Sequence, residues 1–147
     1  MFDIVLRLVI AGAIGVLIGW INISRAQVVR FFALISMGSA LATIISTGFL
    51  TSAHIHLAAD PGRISAQILS ALGFLGLGLI WIGSDRRIHG LSIMANMWVA
   101  SVIGILIGMD LNSGNVAVVA TILFILVLLN IRAIYQIRFK EKMANDK

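Results

Sequence analysis

The chain has 147 residues, of which 60% are hydrophobic and only 12% charged, and its formal net charge is +5. A soluble domain carries about a quarter charged residues, so an ordinary water-soluble fold is excluded and a single polytopic membrane domain is the reading left. The chain has no cysteine, which excludes disulfides and thiolate metal sites, and the basic excess points to topology and anionic headgroups before nucleic acid.

In chain order, the first apolar segment is Ile4–Ile21. Asp3 precedes Arg7, so the basic start of a signal peptide is missing, as is a small-residue cleavage site followed by soluble sequence; a retained helix is expected. Ala11, Gly15 and Gly19 form a stripe of small residues that lets helix backbones approach closely, within the chain or in a homodimer. After a polar break from Asn22 to Arg30, the second segment runs Phe31–Leu50. Its Ser36, Ser39, Thr43 and Ser46 are expected to bond back to their own helix.

The next break, Thr51–Arg63, holds His54, His56 and Pro61. A histidine pair near Asp60 has the elements of a divalent-metal site, but nothing else supports one, and a solvated loop is the simpler reading. Asp60-Pro61 suits the start of a third helix, with Asp60 as cap and Pro61 in the first turn. That helix is expected over Ile64–Ile82, followed by a basic loop, Gly83–Gly90, containing Asp85, Arg86 and Arg87. A fourth segment, Leu91–Met109, a tight turn, Asp110–Gly114, and a fifth segment, Asn115–Ile134, complete the transmembrane domain; residues 135–147 form a short basic tail.

Each segment suffices for a hydrocarbon core of about 30 Å at about 1.5 Å per residue. The expected fold class is therefore all-α: a polytopic bundle of five transmembrane helices. One side would carry Arg7 and Arg63, the other Arg25, Arg30, Arg86, Arg87, Arg132, Arg138 and the lysines Lys140, Lys142 and Lys147. The positive-inside rule then puts the N-terminus out and the C-terminus in, with Trp20, Trp81 and Tyr135 at the cytoplasmic ends of their spans.

Arg63–Gly108 is the most informative stretch. Arg63, Gln67, Ser70, Phe74 and Gly78 share one face of the third helix by steps of three and four. Gly73 and Gly76 thin the helix further. On the fourth helix Ser92, Asn96 and Val99 share a face, with Gly104 and Gly108 roughly opposite. Polar groups in hydrocarbon cost free energy unless they meet protein, water or a ligand. The stripes thus read either as a hydrogen-bonded helix contact or as the lining of a site. Asp3, Arg7 and Asp60, with Arg63, would lie together at the outer edge, as a polar cluster or as separate charges snorkelling to water, with Arg7 the exception to watch because it lies deepest in its span. No motif for nucleophilic, zinc-dependent or phosphate-binding catalysis is present. GFLGLG lies inside a membrane helix and follows no strand, so it is no dinucleotide fingerprint. No carboxylate sits mid-span, which argues against a proton- or cation-coupled carrier.

The run DPGRISAQILSALGFLGLGLIW followed by HGLSIMANMWVASVIGILIG resembles the core of the MgtC/SapB membrane protein family. The matching positions are Arg63, Gln67, Ser70, Gly73, Phe74, Leu75, Gly76, Gly78, Gly90, Leu91, Ser92 and Trp98. Arg7, AGAIGVLIG and the Arg30-led second helix match less closely. Trp20, Ile21 and Asn22 stand where the family usually has a Glu-Arg pair, and the soluble C-terminal domain of many members is expected to be lacking. The resemblance implies a small bacterial inner-membrane protein linked to magnesium limitation and virulence. It would be regulatory and non-enzymatic, without a cofactor, acting by binding a membrane partner such as an ATPase or a second copy of itself. The other function left open is a transporter or channel for an ion or small solute, with a polar path between helices three and four.

Overall fold

The computed structural model describes residues 2–22, 26–52, 60, 62–84, 86–109 and 111–128. Within them the chain forms α1 (Phe2–Asn22), α2 (Ala26–Ser52), α3 (Gly62–Leu77), β1 (Trp81–Ile82), β2 (Ile88–His89), α4 (Leu91–Met109) and α5 (Ser113–Leu128). Helices α1, α2 and α4 are long and apolar enough to cross a membrane; α3 and α5 are shorter apolar helices as described. His54, His56, Asp85 and the tail from 135 to 147 lie outside the described residues.

Helix α2 is the centre of the bundle. It packs against α1 on one side and α4 on another, and α1 also touches α4. Both glycine stripes are spent on these contacts. A Cβ placed on Gly15 would lie 2.6 Å from the Phe32 carbonyl oxygen, and one on Gly19 would lie 2.7 Å from Val29 Cα. On α4, a Cβ at Gly104 would collide with the Ser36 carbonyl, and one at Gly108 would lie 2.5 Å from that of Ala40. Backbone therefore rests on backbone across both seams, the close approach that small residues permit in membrane helices. Ala11, Ile18, Phe32, Ala40, Ala100, Ile103 and Ile107 fill the core between the three helices.

The helix starts follow local chemistry. Asp60 Oδ1 accepts the Gly62 N–H at 2.8 Å and its carbonyl accepts the Arg63 N–H at 3.2 Å, so Asp60 caps α3 as the sequence suggests. Asn112 caps α5 likewise: its Oδ1 accepts the Asn115 N–H at 2.8 Å and its carbonyl the Val116 N–H at 3.0 Å.

Two expectations need correction. The second helix begins at Ala26, not Phe31, because Gln27 and Arg30 are good helix formers and the helix runs on past its apolar stretch. The third stops at Leu77 instead of Ile82. Beyond it, i→i−3 bonds from Gly78, Leu79 and Ile80 tighten the chain into a turn. Trp81 and Ile82 then pair antiparallel with His89 and Ile88. The basic loop is thus a β-hairpin, closed by a Gly83 N–H to Arg87 carbonyl bond of 2.9 Å. Its β-branched and aromatic residues favour strand. Gly90 joins it to α4 with φ +85°, and a side chain there would strike the Leu79 carbonyl. Sixteen residues give α3 a length of about 24 Å, short of a full hydrocarbon core.

Candidate functional site

Helix α3 presents its polar stripe outward. Arg63, Gln67, Ser70 and Gly78 are exposed, and Phe74 is 77% exposed. The buried residues of α3 are Leu72 and Gly76, on the other side. Gly76 receives α4: a Cβ there would lie 2.6 Å from Met94 Cγ and 3.5 Å from Met97 Cε. Nothing lies within 4 Å of the corresponding position on Gly73. Of the glycines in GFLGLG, Gly76 alone seats another helix, while Gly78 belongs to the turn.

The α3–α4 seam at Gly76 is therefore apolar. Asn96 is satisfied along its own helix, donating from Nδ2 to the Ser92 carbonyl at 2.8 Å and approaching Ser92 Oγ at 3.4 Å. Trp98 is 44% exposed. Among the described residues the polar stripe of α3 lies on the outer surface of the chain, away from the seam at Gly76.

The expected outer cluster is divided. Arg7 Nη2 pairs with Asp3 Oδ2 at 2.9 Å, and Nη1 donates to the Met109 carbonyl at 3.2 Å and the Gly108 carbonyl at 3.4 Å. The Arg7 side chain is only 17% exposed. It closes the C-terminus of α4, where carbonyls lack helical partners and a cation is favoured. Arg7 is thus a tie between α1 and α4, and not a charge reaching for water. Asp3, Arg7, Ile44, Thr47, Gly48 and Gly108 rim a shallow recess of about 210 Å³ there. Asp60 is used at its own helix start. At the opposite end, Arg30, Arg86 and Arg87 are exposed.

Sequence reasoning missed one polar feature. Ser36, Ser39, Thr43 and Ser46 are buried, and Ser101 of α4 is buried beside them. Ser39 Oγ and Ser101 Oγ are 2.8 Å apart, a hydrogen bond between α2 and α4. Thr43 bonds back to the Ser39 carbonyl at 2.9 Å, as expected. Ser36 Oγ is buried with no hydrogen-bond partner among the described residues. The signal was the 3-4-3 spacing of the α2 hydroxyls, which puts them all on one face.

Among the described residues no group of three or more His, Asp or Glu side chains could hold a metal ion. The MgtC family model matches residues 8–136. The chain belongs to the MgtC family. Over 110 residues it is 36% identical to YhiD of Escherichia coli K12, covering 72% of this chain and 51% of YhiD. It is 35% identical over 111 residues to MgtC of Salmonella typhimurium LT2, covering 74% and 45%, and 33% identical over 110 residues to SapB of Bacillus subtilis 168, covering 72% and 47%. The chain therefore spans about half the length of these relatives. No solved structure matches it significantly. Family membership and the three long apolar helices make this MgtC-family chain a membrane protein.

Proposed function

We propose that this chain is a regulatory, multi-pass inner-membrane protein that works by binding another membrane protein through the outer face of α3. The observation carrying this reading is the exposure of Gln67 and Ser70 on a helix whose opposite side is already packed. Polar side chains turned toward hydrocarbon are costly and gain by being covered. Both glycine grooves are occupied inside the chain, which leaves the α3 face as the surface for a partner such as an ATPase, or for a second copy. The basic ends of α2 and the hairpin support a cytoplasmic side there under the positive-inside rule, and the reading takes the N-terminus outside, the tail inside, and α3 and α5 as the two shorter of five crossings. The magnesium link rests on relatives, one of them named "Putative magnesium transporter YhiD".

Gln67→Leu is the clean test. The side chain is exposed, so the variant should melt like wild type yet lose the membrane partners that co-purify with it. Retention of every wild-type partner would sink the reading. Gly76→Leu is less informative, since it would also push Met94 and loosen α3 from α4.

The YhiD name favours transport as a second reading. Magnesium flux into liposomes holding only this protein would establish it; no flux across a panel of ions would count against it.

A further inference from the structure

We infer that the end of the bundle carrying the hairpin holds an anionic phospholipid, with an acyl chain in a groove between α2, the foot of the hairpin and α4, and its phosphate on Arg30, Arg86 and Arg87. The groove has a volume of about 240 Å³ and is lined by Gln27, Val28 and Phe31 of α2, Leu79 beneath the hairpin and Ile93 of α4. Four of these five side chains are apolar. A small, mostly apolar lining of this kind suits a linear hydrocarbon chain.

Charge selects the headgroup. Arg30 adjoins the wall residue Phe31 on α2, and Arg86 and Arg87 are in the turn of the hairpin that begins two residues after Leu79; all three are exposed. Asp85 shares that turn in sequence. The described carboxylates, Asp3 and Asp60, are both at the other end of the bundle, where α1 and α3 begin. The hairpin is also shaped for the water–lipid boundary. Trp81, Ile82 and Ile88 are exposed, and the Trp81 ring stacks on His89 with centroids 5.5 Å apart and planes 16° from parallel. Tryptophan favours the interface, and arginines there attract anionic lipid. Apolar wall residues followed along the chain by exposed arginines offer both halves of such a lipid a place. The inference requires a bilayer but does not depend on how the chain acts or which leaflet this end faces.

The test uses the full chain with Trp20→Phe and Trp98→Phe, so that Trp81 is the sole tryptophan. It is reconstituted in equal mixtures of phosphatidylglycerol and phosphatidylcholine, with brominated, fluorescence-quenching acyl chains on one lipid at a time. The expected result is local enrichment of phosphatidylglycerol about threefold or more over the bulk, lost in Arg30→Gln/Arg86→Gln/Arg87→Gln. Filling the slot with Val28→Phe or, separately, Ile93→Phe should reduce the enrichment while the arginines remain. Equal quenching by the two lipids in the unfilled chain would overturn the inference. Enrichment that survives both filling variants, each shown to melt normally, would reduce it to general surface attraction and overturn the site.

Discussion

The α1–α2–α4 block and the α3–hairpin unit are built on opposite terms. In the block, glycines bring backbones together, a serine pair bridges α2 to α4, and an arginine closes a helix end. Small and polar residues are used up internally. In α3 the same residue types are mostly left on the surface: Gly73 faces open space, and Gln67 and Ser70 are exposed. Identical motifs thus do different work, and only their packing shows which. Small-residue spacing reads as structure where a neighbouring backbone fills it and as available surface where none does.

The sharpest way to break this comparison is to put a side chain on matching glycines. Gly104→Leu would drive into the Ser36 carbonyl, and overpacking of this kind costs about 1–3 kcal/mol, here at the upper end because backbone is struck. Gly73→Leu should leave thermal melting in detergent unchanged, because its Cβ meets nothing within 4 Å. Equal losses at both positions would erase the distinction.

Arg7→Ala should come next. It removes the cap on α4 and the tie to α1, at a cost of about 1–2 kcal/mol by the same melting measurement. Asp3→Asn should cost only a few tenths of a kcal/mol (~0.3), because Asp3 is 64% exposed. If Asp3→Asn proved the more damaging, Arg7 would not be acting as the cap. The smallest effect is expected in the hydroxyl seam. A double-mutant cycle between Ser39→Ala and Ser101→Ala should show a coupling of about 0.6 kcal/mol. Ser36→Ala should be neutral or slightly stabilising, since its buried hydroxyl has no hydrogen-bond partner to lose among the described residues.

How much was legible in the sequence follows the same division. Apolar runs and their polar breaks located all five helices, and the Asp60 cap was visible as a residue type in the right place. The periodicity that grouped Arg63, Gln67, Ser70 and Phe74 on one face was also sound. What the face looks at was not legible, because periodicity fixes relative angle and not the neighbour. The end of α3 was misjudged since Leu79–Ile82 is as apolar as the helix before it; the turn depends on Gly78, and the bend into α4 on Gly90, at φ +85°. The depth of Arg7 in its span sets it apart from the other outer charges in the sequence, but its carbonyl partners, a hundred residues away, are not legible there. Ser101 was overlooked as a lone hydroxyl whose meaning depends on Ser39, on another helix.

The proposed docking face of α3 and the exposed Leu34 of α2 should have different neighbours, protein at the first and lipid at the second. A photo-crosslinking side chain at Gln67, compared in native membranes with one at Leu34, which is 68% exposed on α2, tests it most directly. A discrete crosslinked protein species is expected from position 67 and lipid adducts alone from position 34. Lipid adducts alone from both positions would contradict it.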